Sequence, residues 1–136
     1  MKKASLIICL FLPVLLSCNN DKKSAPQTDI ETATAFIRDV LDNDLAGAEQ
    51  YVLKDESNNQ YFEAFKQQYK NLSKQELDNY KKADIIINDN STVIRDSVTI
   101  ITYSNSYQKA ASNKLKLVRI NGKWVIDFKY TFSGNM

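Results

Sequence analysis

Apolar residues fall into three regimes along this chain, and each regime predicts a different kind of structure. From Leu6 to Leu16 they run together, broken in conformational preference only by Pro13, and Ser17-Cys18 follows. From Ile30 to Tyr80 they recur at intervals of three and four, the period of a helix with one buried face. From Ala83 onward they alternate, the period of a half-buried strand. Thr28 and Glu31 have capping-box spacing, so a first helix begins near Thr28 and carries Ile30, Ala33, Phe36, Ile37, Val40 and Leu41. Asp44 can cap a second helix with Leu45, Ala48 and Val52, kept short by Gly47. A third helix is expected from Ser57-Asn58, with Tyr61, Phe62, Phe65, Tyr69 and Leu72 as its stripe. Ser73 and Glu76 form another capping box, for one short turn holding Leu77 and Tyr80.

The alternating part predicts strands. Ala83, Ile85 and Ile87 share a face, Asn88-Asp89-Asn90-Ser91 reads as a turn, and Thr92 to Ser104 reads as one long strand. Lys114–Ile120 and Lys123–Phe132 are two further strands joined by Asn121-Gly122, which suits a two-residue type I′ turn. That turn fixes the register: Ile120 opposite Lys123, Arg119 opposite Trp124, Leu117 opposite Ile126, Lys116 opposite Asp127. One face is then Leu115, Leu117, Trp124, Ile126, Phe128, Tyr130 and Phe132, and the other is Lys114, Lys116, Asp127 and Lys129. A one-residue slip would mix the two sets. Helices first and antiparallel strands after predict an α+β domain, with the N-terminal helices packed on the apolar face of the sheet.

The first eighteen residues carry the clearest message about location. Lys2 and Lys3 form a basic head, and the apolar run is too short for a membrane span, which takes about 20 residues. With Leu15-Leu16-Ser17-Cys18 at its end, the segment resembles a bacterial lipoprotein signal. The resemblance implies cleavage before Cys18, lipidation of Cys18 and attachment to the membrane through that lipid. Asn19 in place of an aspartate then favours the outer membrane, with its periplasmic or surface face open. Residues 18–27 are polar, contain Pro26 and read as a flexible tether, leaving 28–136 as the domain. The formal charge of +2 disappears when Lys2 and Lys3 leave with the signal, so nothing draws the mature chain to nucleic acid. Cys9 leaves too, so no disulfide is expected. The chain has no histidine, which removes the commonest general base and the commonest transition-metal ligand. Asp84, Asp89 and Asp96 lack the spacing of a calcium loop, and no cofactor motif is present.

Asp44-Leu45-Ala46-Gly47-Ala48 between helices, and Asn121-Gly122-Lys123-Trp124-Val125-Ile126 in the last hairpin, resemble the nuclear transport factor 2-like superfamily, the cystatin-like cone. The resemblance is strongest to small lipoproteins of that superfamily from Bacteroidota-type bacteria, and it extends over roughly residues 28–133. It implies a strongly curved sheet wrapped around a long helix, leaving a cone-shaped pocket, and it implies no shared reaction. Relatives include isomerases, dehydratases, cyclases and pure binding modules. Residues expected to line such a pocket are Asp96, Tyr103, Arg119, Trp124 and Phe128. Asp96 shares a strand face with Ile94, Val98 and Ile100, so an inward carboxylate could act as a base. Arg119 could stack on Trp124 or bind an anion. Asp96-Ser97-Val98 also resembles an O-glycosylation acceptor of Bacteroidota. With no histidine and no second acid beside Asp96, no catalytic residue is assigned. The expected role is a non-enzymatic envelope module binding a protein or a small apolar ligand, without cofactor. The alternatives are a lyase or isomerase acting in the cone, and an immunity-type or inhibitory lipoprotein.

Overall fold

The computed structural model describes residues 24–132. The signal segment, Cys18 and residues 133–136 lie outside that range. The first helix, α1 (Asp29–Leu41), starts where its capping box predicts: Thr28 Oγ1 accepts from the Glu31 amide at 3.1 Å, and the Glu31 carboxylate accepts from the Thr28 amide at 3.1 Å. It buries Thr32, Ala33, Phe36, Ile37 and Leu41. Asn43, at φ 61°, reverses the chain into the short α2 (Leu45–Glu49), whose Asp44 cap accepts from the Gly47 amide at 2.9 Å. The third helix, α3 (Glu56–Tyr69), begins ahead of the expected Ser57, because Asp55 is its cap and accepts from the Asn58 amide at 2.7 Å.

The capping box at Ser73 opens a full helix, α4 (Lys74–Lys81), and not the single turn expected. Its C-terminus is held from outside. Arg38 of α1 donates to the carbonyls of Ala83 (2.9 Å), Lys81 (3.3 Å) and Tyr80 (3.4 Å). That contact places a cation on the negative end of the helix and adds a donor to carbonyls of its last turn and of the residues just beyond it.

The fold is α+β: four antiparallel strands in the order β1-β2-β3-β4, with α1 lying across all of them. They are β1 (Ile85–Ile94), β2 (Val98–Asn105), β3 (Asn113–Ile120) and β4 (Lys123–Ile126). The β3–β4 register is the expected one, pairing Leu117 with Ile126, Val118 with Val125, Arg119 with Trp124 and Ile120 with Lys123. Asn121 (φ 49°) and Gly122 (φ 78°) both take the left-handed conformation that a type I′ turn requires.

Two expectations are corrected. The strand expected to reach Phe132 stops at Ile126, and Lys129–Phe132 forms a helical turn, α5. Buried Asn58 takes the Lys129 amide onto its Oδ1 at 2.8 Å, and Thr131 Oγ1 donates to the Lys114 carbonyl at 2.9 Å. Tertiary partners thus replace the ladder that would have continued the strand. The pairing of Lys116 with Asp127 survives as a backbone bond of 2.8 Å and an ion pair of 3.1 Å.

The second correction concerns Asn88–Ser91, which is not a turn. The segment runs through β1, with bulges leaving Asn88 and Val93 out of the pairing. Asn88 is accommodated by bonding its amide nitrogen to Ser104 Oγ at 3.1 Å. The real turn is Arg95-Asp96-Ser97, closed by the Ile94–Val98 pair. The expected strand from Thr92 to Ser104 is therefore two strands.

The core lies between α1, α3 and the sheet. Phe128 packs against Phe62 (5.1 Å between ring centroids), Phe65 (5.4 Å) and Phe36 (5.9 Å), with Ile37, Ile101, Leu115, Leu117 and Ile126 closing the cluster. Each such side chain contributes on the order of 2 kcal/mol by leaving water.

Candidate functional site

The turns β1–β2 and β3–β4 lie at the same end of the sheet, because the strands alternate in direction. The N-terminus of α1 reaches the same end. Between them is a groove of about 330 Å³, lined by Gln27, Thr28 and Asp29 from the helix start, Thr92, Arg95, Asp96 and Thr99 from the first hairpin, and Arg119 and Trp124 from the second. Three of the expected pocket residues, Asp96, Arg119 and Trp124, meet here.

Their environments differ from the expected ones. Asp96 occupies the turn with φ 56°, and its side chain is 82% exposed, 3.9 Å from the Arg95 guanidinium. It is not an inward carboxylate on a strand, and no apolar wall surrounds it. Ser97, the residue of the glycosylation-like triplet, is exposed in the same turn. Arg119 places its guanidinium 5.9 Å from the Trp124 ring centroid, and Nε reaches the Gly122 carbonyl at 3.4 Å. Trp124 is thereby shielded and only 9% exposed. Thr99, also buried, has a hydroxyl with no hydrogen-bond partner among the described residues.

Tyr103 and Phe128 are elsewhere. Phe128 is inside the core. Tyr103 pairs with Ile87 and Asn113 further along the sheet, where burial pushes its phenol well up, with Tyr69 and Tyr80 adding to the shift. Tyr69 donates to the Val40 carbonyl at 2.7 Å, and burial pushes its phenol up to about 12. Tyr80 meets Tyr107 edge-on at 5.2 Å.

Strand alternation alone did not reveal the second groove, of about 230 Å³, lined by Ser57, Tyr61, Lys116, Asp127, Lys129 and Tyr130. Its floor is the Asp127 carboxylate, held by Lys116 Nζ at 3.1 Å, Lys129 Nζ at 3.8 Å and Asn58 Nδ2 at 3.3 Å. Lys116 also sits over the Tyr130 ring at 5.9 Å. The Lys116–Asp127 opposition in the sequence was the one available signal for this cluster, while Asn58 reads as an ordinary helix-start residue.

Among the described residues, no group of three or more His, Cys, Asp or Glu is placed to hold a metal ion. No helix among them is long and apolar enough to cross a membrane. No protein-family model, curated protein or solved structure matches the chain.

Proposed function

We propose that this chain is a cell-envelope lipoprotein, anchored to the outer membrane by lipid on Cys18, whose domain is a non-enzymatic binding module. The observation that carries the binding role is the filling of the sheet's inner face. Phe36, Phe62, Phe65, Phe128 and Trp124 occupy the space that a substrate would need, while the two grooves are open at the surface. Asp96, the one acid considered as a base, stands in a solvent-exposed turn with no apolar wall around it to hold a substrate against it. The reading as a nuclear transport factor 2-like cone is part of the same proposal. It is supported by the order of helix, short helix capped by Asp44, aromatic helix, α4 and four antiparallel strands, the last two joined at Asn121-Gly122.

Two measurements test the proposal. Mass spectrometry of the mature protein from envelopes is expected to find acyl groups on an N-terminal Cys18; a free, unmodified thiol there sinks the lipoprotein reading. Native mass spectrometry of the same material is expected to retain a bound protein or small molecule. Turnover of a small apolar substrate that survives purification and is abolished by Asp96→Asn in a folded protein would replace binding by catalysis.

A further inference from the structure

The large apolar side chains left exposed are not scattered. Ile30 (43%) is in the first turn of α1, Val93 (56%) and Ile94 (57%) precede the first hairpin turn, and Ile120 (46%) precedes the second. All four stand at the end of the domain where the groove lies and where the described chain begins. Among the described residues, Tyr61 and Tyr107 are the large exposed apolar side chains away from it. Charges at this end are mixed: Arg95, Arg119 and Lys123 against Asp29 and Asp96.

We propose that this end is a membrane-contacting face, which seats Val93, Ile94, Ile120 and Ile30 in the headgroup region of the bilayer that holds the Cys18 lipid. The proposal rests on the lipoprotein reading above. The chain from Cys18 to Gln27 reaches at most about 30 Å. It joins the domain beside the two hairpin tips, whereas the far end of α1 is about 20 Å further on. Of the two ends of the sheet, the tips are the one nearer the anchor. An acyl chain supplies the main attraction, and a few half-exposed aliphatic side chains add to it. A mixed set of arginine, lysine and aspartate side chains, with one more cation than anion, suits headgroups that carry both phosphate and amine. A second copy adding to the free edge of β1 fits less well, because the bulges at Asn88 and Val93 interrupt the regular pairing such an edge would offer.

The mature chain has no thiol besides the one proposed to carry lipid, so single cysteines can be labelled cleanly. The acylated full-length protein, as Ile94→Cys, Ile120→Cys or Tyr107→Cys, is labelled with an environment-sensitive fluorophore. It is then reconstituted in vesicles of phosphatidylethanolamine and phosphatidylglycerol containing a spin-labelled lipid. Quenching at positions 94 and 120 is expected to exceed that at 107, because side chains seated in the headgroup region lie closer to the spin label. Equal quenching at all three positions, in protein shown to be acylated, overturns the membrane face and leaves the lipoprotein reading standing. Absence of acylation removes both. Pyrene excimers at position 94 without lipid quenching assign the surface to a second copy and overturn the proposal as well.

Discussion

Asn58 shows how much can depend on one polar residue that patterning does not single out. Fully buried, it donates to Asp55 (2.8 Å) and Asp127 (3.3 Å) and accepts from the Lys129 amide (2.8 Å). It ties the start of α3 to the residues where β4 gives way to α5. Replacing it by alanine strips a partner from a buried carboxylate and leaves a backbone amide unsatisfied, at a cost of roughly 1–3 kcal/mol for each such group. Asn58→Ala is therefore expected to lower stability by about 3 kcal/mol, measured by urea denaturation. Asn59→Ala, one position along on the exposed face, should stay within about 0.5 kcal/mol of the parent. Equal values for the two would remove Asn58 from this role. The sequence could not show this role, since a helix-start asparagine is ordinary and its partner Asp127 is distant along the chain.

Elements were legible where a local signal and a burial pattern agreed. The capping boxes at Thr28 and Ser73, the Asp44 cap and the Asn121-Gly122 hairpin all stand where sequence puts them. Two others failed because a local signal was outvoted. Asn88-Asp89-Asn90-Ser91 has turn composition, yet it lies in the exposed half of β1, where neither face must be apolar. Asp96 provided the turn instead, by adopting a positive φ that aspartate tolerates better than most residues. The two glycines with described surroundings separate conformation from space. A methyl group at Gly122 would meet nothing within 4 Å, so Gly122→Ala should cost only its left-handed backbone strain, about 1–2 kcal/mol. At Gly47 a methyl would come within 2.5 Å of Asp44 Oδ2, the side chain that caps α2. Gly47→Ala should therefore forfeit the helix-propensity gain of about 1 kcal/mol that alanine brings at an unobstructed helical site. Urea midpoints of the two variants check both expectations, and a clearly stabilised Gly47→Ala protein would show that the cap can move aside without loss.

For the molecule as a whole, the titrating groups predict a flat-topped stability profile. The chain has no histidine, so no side chain with an ordinary pKa titrates near neutrality. On the acid side, hydrogen bonds from helix-start backbone amides hold Glu31 and Asp55 below their ordinary values, while Glu76 is held down first by the Ser73 hydroxyl and then by its amide. A carboxylate with a lowered pKa in the folded state adds stability above its unfolded pKa and loses it as pH falls through the folded one. The three caps should therefore weaken together below about pH 4. On the alkaline side the shifts run the other way. Burial raises Tyr51, Tyr80 and Tyr103, and it carries Tyr69 from 10.0 to about 12. Because the folded state holds these protons more tightly, the stability they contribute is complete below pH 10 and drains away as pH rises toward 12. Urea midpoints are expected to be level from about pH 5 to pH 9 and to fall at both ends. Tyrosinate absorbance from the buried phenols should rise only as the protein unfolds. A step in stability between pH 6 and pH 7, or a single tyrosine titration centred near the ordinary value of about 10, would contradict the buried tyrosine cluster on which the alkaline limb depends.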